Sequence, residues 1–298
     1  MVDRGPYSEE CILITRAIPK VLGWRTVSLF GNHELLSIMG RSNVYIHPDE
    51  AKAFEGIDGR NEAFSPEGPH NPLFEDLIEN SIAIARLHTR VRWTGKNRDP
   101  NTLFVHGGID LGWIMQNFNP SLPFQPIAGV PTINHEFKRA LESSEGREKL
   151  SEDESFLWTR TLAEAEEEIA CPLADEINMR FQVARIIVGH TPQYDRRVKT
   201  RCNGKIILAD AMMSSYMDPT NPDYPEGNRL VVVMTLHAGE LTGIDAISSY
   251  HREPLLVDTI SQRSIIRPAI PNSSLTRSRT FNNLASIMDE HDEAIFTN

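Results

Sequence analysis

The stretch Leu29–Leu36, "LFGNHELL", decides how the rest of the chain is interpreted. The run Arg25–Phe30 predicts a buried strand, and the apolar residues after Glu34 predict the start of a helix. Between them stand Gly31-Asn32-His33-Glu34, which carry an amide, an imidazole and a carboxylate. A polar turn between a strand and a helix is where open α/β sheets place ligand groups. Gly and Asn also occur in ordinary loops, so this turn alone decides little.

Other predicted strands end in the same way. Three apolar runs lead into polar residues: Leu103–Val105 into His106-Gly107-Gly108, Arg185–Val188 into Gly189-His190-Thr191, and Ile206–Leu208 into Asp210. A further β-rich run over residues 230–236 has no polar cluster and is interpreted as purely structural. Repeated strand-to-turn junctions predict an α/β fold with a ligand site at one edge of its sheet.

The remaining segments divide into helices, loops and a tail. Three stretches show helical patterns: residues 8–23, 71–88 and 161–181. Ser8 is expected to cap the first helix and Gly23 to stop it, and Pro172 to bend or break the third. Two stretches rich in Pro, Gly and Asn are interpreted as loops or lids: residues 41–72 and 114–135. Residues 1–265 are expected to form one domain, and residues 266–298 a polar, flexible tail.

The composition indicates a globular protein, with 40% hydrophobic and 24% charged residues. Lys and Arg total 30 against 41 Asp and Glu, a net charge of -11. Such an acidic chain is not expected to bind nucleic acid or a membrane surface. No apolar run approaches the roughly 18 residues that a membrane span needs. Oligomeric state does not follow from the sequence.

The cysteines and the first residues bear on the compartment. Cys11, Cys171 and Cys202 are far apart and lack CxxC spacing, which suggests a reducing compartment and no thiolate metal site. The first ten residues contain no basic or apolar leader. We therefore predict a cytoplasmic protein, or an organellar one if a transit peptide precedes residue 1.

Three of the strand-end residues offer metal ligands: Asn32, His106 and His190. Imidazole nitrogens suit Zn, Fe and Mn, and an amide oxygen completes such sites. A lone histidine at a strand end is more often a hydrogen-bonded loop residue. Three junctions of one kind favour a shared site instead.

Asp3 and Arg4 stand in "VDRG", just before the first predicted helix. A guanidinium here would bind a phosphate through two hydrogen bonds, and the helix N-terminus would favour the same anion. Taken alone, an Asp-Arg pair is usually a solvated turn.

Taken together, these motifs resemble a known family. "VDRG", "GNHE", "HGG" and "GHT", in this order, are similar to the calcineurin-like metallophosphoesterases of the phosphoprotein phosphatase superfamily. "GNHELLSIMG", "FLWTR" and "IIVGHTPQ" resemble the Shewanella-like protein phosphatases within it. The resemblance covers about residues 2–217. It implies a four-layer αββα sandwich with a centre of two divalent metal ions (Mn, Fe or Zn) that hydrolyses phosphomonoesters.

The resemblance also implies a role for each matching residue. Asn32, His106 and His190 would bind the second metal, and Asn32 would also contact the phosphate. His33 would be the general acid that protonates the leaving group, with Asp3 holding its imidazole. Arg4 would bind the phosphate oxygens. Arg160 in "FLWTR" would do the same, although it could equally be a surface charge. Asp210 is interpreted as lining the site or supporting it.

One departure from the family is large. The family holds its first metal with an Asp and a His from "GDxHG", and bridges both metals with the first Asp of "GDxVDRG". Neither motif occurs in full within these 298 residues. We therefore expect an N-terminally incomplete domain without its first strand, which binds at most one metal ion and is impaired as a catalyst.

The function that this reasoning predicts is that of a protein phosphatase acting on phosphoserine, phosphothreonine or phosphotyrosine, with a weak preference for the last. Its partner would be a phosphoprotein or phosphopeptide. Two alternatives remain: a catalytically dead pseudophosphatase that binds phosphoproteins, and a dinucleoside polyphosphate hydrolase.

Overall fold

The computed structural model describes residues 2–23, 26–68, 71–87, 101–118, 126–212, 214, 231–237, 240–247 and 252–257. The helices of this part are α1 (Ser8–Leu22), α2 (Asn32–Ile38), α3 (Pro48–Ala53), α4 (Ile57–Phe64), α5 (Pro72–Asn80), α6 (Leu111–Asn117), α7 (Pro126–Glu142), α8 (Ser144–Leu150), α9 (Thr161–Glu164) and α10 (Glu167–Phe181). The strands are β1 (Ser28–Leu29), β2 (Ser81–Ile82), β3 (Ile84–Leu87), β4 (Thr102–Val105), β5 (Arg185–Val188), β6 (Lys199–Arg201), β7 (Ile206–Leu208), β8 (Val231–His237), β9 (Glu240–Ile247) and β10 (Arg252–Val257). The predicted tail, residues 266–298, lies outside the described residues.

The central sheet has five strands in the order β3-β4-β5-β7-β6. Its three inner strands are parallel, and β3 and β6 pair antiparallel at the edges. Strands β8, β9 and β10 form a separate antiparallel sheet, and β1 pairs with β2 in parallel. Because β4, β5 and β7 are parallel, the residues that follow them emerge at the same edge of the sheet.

Alternating side chains divide the central sheet between two cores. On β5, Ile186 and Val188 belong to the larger core, which packs under the helices. Ile187, between them, points the other way and packs in a second core with Ile244 and Ala246 of β9. Two sheets therefore lie face to face, with helices on the outer side of the central one. The predicted α/β fold is confirmed.

The helices that precede and follow β1 set up the site. Helix α1 ends at Gly23, which adopts the left-handed conformation (φ 66°), as predicted. Ser8 is the first residue of α1 and not its cap; its hydroxyl accepts a hydrogen bond from the Asp3 N–H instead. Helix α2 begins at Asn32, directly after the strand. The Glu34 carboxylate accepts a hydrogen bond from the Gly31 N–H and fixes this helix start.

Several segment predictions were wrong. Residues 41–72 contain α3 and α4, and residues 114–135 contain much of α6 and α7, so neither stretch is simply a loop. Residues 71–88 are helical only to Asn80, after which the alternating apolar residues form β2 and β3. The break in residues 161–181 falls at Ala165 and Glu166, whose ψ angles of 153° and 152° are extended, whereas Pro172 lies inside α10.

The cysteine prediction also needs correction. Cys171 on α10 and Cys202 in the turn after β6 form a disulfide, with their Cα atoms 5.3 Å apart. Cys11 is free and exposed. The Glu167 carboxylate lies beside the two bonded sulfur atoms, which offer no thiolate while they are paired. The inference of a reducing compartment therefore loses its support.

In the part of the chain that the structure describes, no helix is both long enough and apolar enough to cross a membrane.

Candidate active site

The three predicted metal ligands lie together at the edge of the sheets. His106 follows β4 and His190 follows the adjacent parallel strand β5, and their ring centroids are 5.0 Å apart. Asn32, at the start of α2, places its Oδ1 atom 2.8 Å from His106 Nε2 and 3.3 Å from His190 Nδ1. One oxygen and two imidazole nitrogens thus converge on one point.

The His190 ring is fixed from its other side. Its Nε2 atom lies 3.0 Å from the backbone carbonyl oxygen of Trp158. When Nε2 donates to this carbonyl, Nδ1 keeps its lone pair for the side that faces Asn32. His190 also adopts the left-handed backbone conformation, with φ at 63°, which is rare for a residue other than glycine.

Close packing around His106 requires a glycine. A Cβ atom at Gly31 would lie 2.8 Å from His106 Cε1 and 2.8 Å from Glu34 Oε2, closer than real contacts allow. The same carboxylate of Glu34 accepts hydrogen bonds from the Gly31 and Val2 N–H groups at 3.0 and 3.1 Å. Because Gly31 has no side chain, the start of α2 can pack directly against the His106 ring.

Both histidines of this cluster are neutral near pH 7. The pKa of His106 is lowered to about 3, because burial disfavours the imidazolium and because His190 lies beside it. The pKa of His190 is lowered to about 4, by burial and by the nearby Arg160 guanidinium. Neutral imidazoles keep a lone pair, as ligation to a metal requires.

His33 and Asp3 form the predicted pair. The Asp3 carboxylate is buried, and its Oδ2 atom lies 2.8 Å from His33 Nδ1. The His33 side chain is 23% exposed. Because Asp3 contacts Nδ1, the Nε2 nitrogen of His33 takes no part in this pair and can contact another group. Asp3 itself sits in the left-handed region at φ 63°.

The other oxygen of Asp3 contacts a residue that the sequence analysis did not identify. Arg60 Nη2 donates to Asp3 Oδ1 at 2.7 Å, and Arg60 Nε donates to Glu50 Oε1 at 3.0 Å. Arg60 has no exposed side-chain surface. In the sequence it stands in a polar segment interpreted as a loop, residues 41–72, so no local signal marks it.

The two predicted phosphate-binding arginines line one cleft. Arg4 and Arg160 both border a cavity of about 580 Å³ that Thr191 and Tyr194 also line. Arg160 Nη1 donates to the His190 carbonyl at 3.1 Å and to Thr191 Oγ1 at 3.2 Å. Through these two hydrogen bonds, Arg160 connects the cleft to the backbone of His190 in the histidine cluster.

Arg4 has a partner that the sequence analysis also missed. Its guanidinium lies over the ring of Tyr45, 4.6 Å from the ring centroid. The His33 ring meets the same tyrosine edge to face, with centroids 4.8 Å apart. Tyr45 thus contacts both the predicted acid and the predicted phosphate-binding arginine.

Asp210 lies after β7 and contacts backbone N–H groups among the hydrogen bonds described. Its Oδ1 atom accepts from the Met212 N–H at 3.2 Å, and its carbonyl accepts from the Gln193 N–H at 2.8 Å. These bonds fit the supporting role predicted for it.

Comparison with known proteins places this arrangement in context. No family model matches the chain. It is 26% identical over 225 residues to an uncharacterized protein of Schizosaccharomyces pombe, covering 72% of this chain and 60% of that protein. It is 24% identical over 207 residues to Shewanella-like protein phosphatase 1 of Plasmodium berghei, covering 67% of this chain and 51% of that protein. The chain thus spans only part of the length of these relatives.

Solved structures show the same fold. A cold-active protein tyrosine phosphatase matches with a TM-score of 0.60 at 20% identity, over 86% of this chain and 65% of that one. The cold-active protein-tyrosine phosphatase of a psychrophilic Shewanella species matches with a TM-score of 0.58 at 20% identity, over 85% and 66%. The predicted resemblance to Shewanella-like protein phosphatases is confirmed.

Proposed function

We propose that this chain is the phosphatase domain of a metal-dependent phosphoprotein phosphatase, and that the sheet edge described above hydrolyses phosphomonoesters. The observation that carries the proposal is the convergence of Asn32 Oδ1 on His106 Nε2 and His190 Nδ1, at 2.8 and 3.3 Å. The similarity to a Shewanella-like protein phosphatase and to protein tyrosine phosphatase structures supports it.

The donor set fits a divalent metal ion. Asn32, His106 and His190 would hold it with an amide oxygen and two imidazoles, a mixture that suits Mn, Fe or Zn. The Trp158 carbonyl beside His190 Nε2 is the kind of outer partner that fixes a histidine ligand. A bound ion would supply a more acidic water and a positive charge beside the phosphoryl group.

The other residues act on the substrate. Arg4 and Arg160 would bind the phosphate oxygens from the cleft that they share. His33, oriented by Asp3, would donate a proton to the leaving oxygen. The Asp3 carboxylate fixes the orientation of the ring through its contact with Nδ1. A phosphoprotein or phosphopeptide is the substrate that we propose, with phosphotyrosine preferred.

Among the described residues, no carboxylate joins His106 and His190 to make a group of three within reach of one ion. The ligands present are neutral, so the charge of a dication is not balanced by its ligands. We therefore propose that this chain binds at most one metal ion and turns over slowly.

The proposed function is tested with a panel of substrates and metals. The purified chain is incubated with Mn²⁺, Zn²⁺ or Fe²⁺ and p-nitrophenyl phosphate, phosphotyrosine peptide, phosphoserine peptide or diadenosine tetraphosphate. We expect slow, metal-dependent release of phosphate from the monoesters, and metal binding measured separately by calorimetry. Cleavage of diadenosine tetraphosphate alone would show a dinucleoside polyphosphate hydrolase. Absence of both metal binding and hydrolysis would refute the proposal.

A binding function is the second candidate, favoured by the absence of an adjoining carboxylate in the described part of the site. A pseudophosphatase would bind phosphopeptide through Arg4 and Arg160 without turnover, even at high Mn²⁺. Binding measured by fluorescence anisotropy, together with undetectable hydrolysis, would establish this alternative.

The proton donor is tested by the choice of leaving group. Replacing His33→Asn is expected to lower turnover of an alkyl phosphate about 100-fold, because its alkoxide must be protonated as it leaves. The loss on p-nitrophenyl phosphate should be much smaller, since p-nitrophenoxide is a stable anion. Initial rates on both substrates are compared at equal metal occupancy.

The matched control is His135→Asn, which changes an exposed histidine on α7. It should leave both rates unchanged. Equal losses on the two substrates in the His33 variant would exclude His33 as the acid.

A further inference from the structure

Arg60 is a fully buried charge near the site. Its side chain has 0% exposure, as does that of Asp3, and the Glu50 side chain has 1%. A cation shared between two buried carboxylates is costly to remove from water. This cost suggests that the arginine does more than fill space.

The contacts of Arg60 form a continuous path to His33. Arg60 Nη2 donates to Asp3 Oδ1 at 2.7 Å, and Asp3 Oδ2 lies 2.8 Å from His33 Nδ1. The two oxygens of one carboxylate thus point to different partners. Rotation of the carboxylate that moves Oδ2 away from the imidazole would also move Oδ1 away from Arg60. The hydrogen bond from Arg60 therefore opposes that rotation.

The guanidinium is itself immobilised. Nη1 donates to Ser42 Oγ at 3.0 Å and to Ser37 Oγ at 3.3 Å, and the guanidinium carbon lies 4.6 Å from the Phe64 ring centroid. On the far side, Nε donates to Glu50 Oε1 at 3.0 Å. Contacts from α2, α3 and α4 therefore fix one orientation of the planar guanidinium.

Asp3 has little else to hold it in place. Its residue precedes α1 and lies in the left-handed region at φ 63°, where a non-glycine residue is strained. Its N–H donates to Ser8 Oγ at 3.1 Å, which fixes the backbone but not the carboxylate. Among the side chains that the structure describes, Arg60 and His33 are the two that contact this carboxylate.

We propose that Arg60 is a positioning residue: by holding Oδ1 of Asp3, it directs Oδ2 at His33 and so sets the orientation of the imidazole. The inference rests on the proposed function, in which His33 is the proton donor. Arg60 does not touch the substrate cleft lined by Arg4 and Arg160. Its effect should therefore fall on turnover and not on substrate binding.

The direct test is hydrogen exchange at His33. In protein labelled with ¹⁵N-histidine, the Nδ1 proton of His33 is assigned by its loss in His33→Asn. We expect this proton to be protected in the unmodified chain. In Arg60→Met and Arg60→Lys its exchange should be at least about tenfold faster, because the charge-assisted bond to Asp3 loses its fixed geometry.

The matched control is Glu50→Gln, which alters the same buried network on the other side of Arg60. Its amide oxygen can still accept from Nε, so exchange at His33 should stay within about twofold of the unmodified value. If Arg60→Met does not fold, Arg60→Lys, which keeps the buried positive charge, decides the question. Unchanged exchange in a folded Arg60 variant, or an equal increase in the Glu50 control, would overturn the proposal.

A kinetic arm separates this inference from the proposed function. For an alkyl phosphate, Arg60→Lys should lower kcat about tenfold and leave KM unchanged, because Arg4 and Arg160 are untouched. If the unmodified chain neither binds metal nor hydrolyses phosphate, but exchange at His33 depends on Arg60, the proposed function fails and the positioning role stands. A rise in KM at unchanged kcat and unchanged exchange would refute the positioning role while leaving the phosphatase intact.

Discussion

Replacing His106 and His190 together with alanine is expected to abolish binding of a divalent transition metal ion. Both side chains contact Asn32 Oδ1, so the double variant leaves one amide oxygen of the three donors. The loss of even an outer-shell partner weakens metal sites by 10- to 100-fold, so the expected decrease here is on the order of 100-fold or more. Metal content after dialysis, measured by mass spectrometry, and affinity, measured by calorimetry with Mn²⁺ and Zn²⁺, give the result.

A two-histidine control makes this experiment specific. His47 and His135 lie outside the candidate site, the latter exposed on α7. The variant His47→Ala with His135→Ala should retain the metal affinity of the unmodified chain. Unchanged metal content in the His106 and His190 variant would mean that the ion binds elsewhere, and circular dichroism of both proteins verifies that each is folded.

The second large effect concerns stability. Arg60→Met is expected to lower the free energy of unfolding by about 3–5 kcal/mol, because it leaves the buried carboxylates of Asp3 and Glu50 without their cation. Methionine keeps the unbranched stem but not the volume of the guanidinium, so the loss arises from uncompensated charge, lost hydrogen bonds and a small cavity. Urea unfolding followed by circular dichroism measures the change.

Arg139→Met serves as the comparison for this prediction. Arg139 pairs with Glu136 at 3.0 Å, but its side chain is 66% exposed. Such a surface pair contributes about 1 kcal/mol at most, so this variant should unfold almost as the unmodified chain does. A triple variant with Asp3→Asn, Glu50→Gln and Arg60→Met removes every charge of the buried group and should recover much of the loss. Equal, small losses in Arg60→Met and Arg139→Met would show that the buried charges are not coupled as described.

The strands that carry the histidines could be predicted closely from the sequence. Strand β4 spans Thr102–Val105, which begins one residue before the predicted run, and β5 spans Arg185–Val188, as predicted. Both lie inside the central sheet and are covered on two faces, so their sequences are continuous apolar runs. A polar residue shortly after such a run marks the edge of the sheet, and several such junctions together indicate a shared site. The positions of His106 and His190 followed from this pattern.

Two of the helices in the segments interpreted as loops were missed for a physical reason. Pro48 and Pro126 begin α3 and α7, where the missing N–H is not needed. Proline was interpreted as a sign of a loop, although at the first position of a helix it favours helical backbone angles. Tyr45 and Arg60 lie in the segment interpreted in this way, and so neither contact with the site could be anticipated.

Long-range pairing was equally invisible in the sequence. Cys171 and Cys202 are 31 residues apart and meet only because α10 packs beside the β6–β7 turn. The buried contact of Arg60 with Asp3 spans 57 residues. Neither pairing leaves a periodic or local signal, since each depends on how separate elements pack.

The pairing of β4 with β5 has a consequence for how a ligand would be received. Val105 and Val188 are in register, and the next residues are tied by a hydrogen bond of 2.8 Å from the Gly189 N–H to the His106 carbonyl. The spacing of the two rings, 5.0 Å, is close to the 4.7–4.9 Å between neighbouring strands. Their separation thus follows from the pairing of β4 with β5 and from the short turns that carry both rings. Little conformational entropy is therefore lost when both rings bind one ion. Moving the rings far apart would require β4 and β5 to separate, and both lie inside the central sheet.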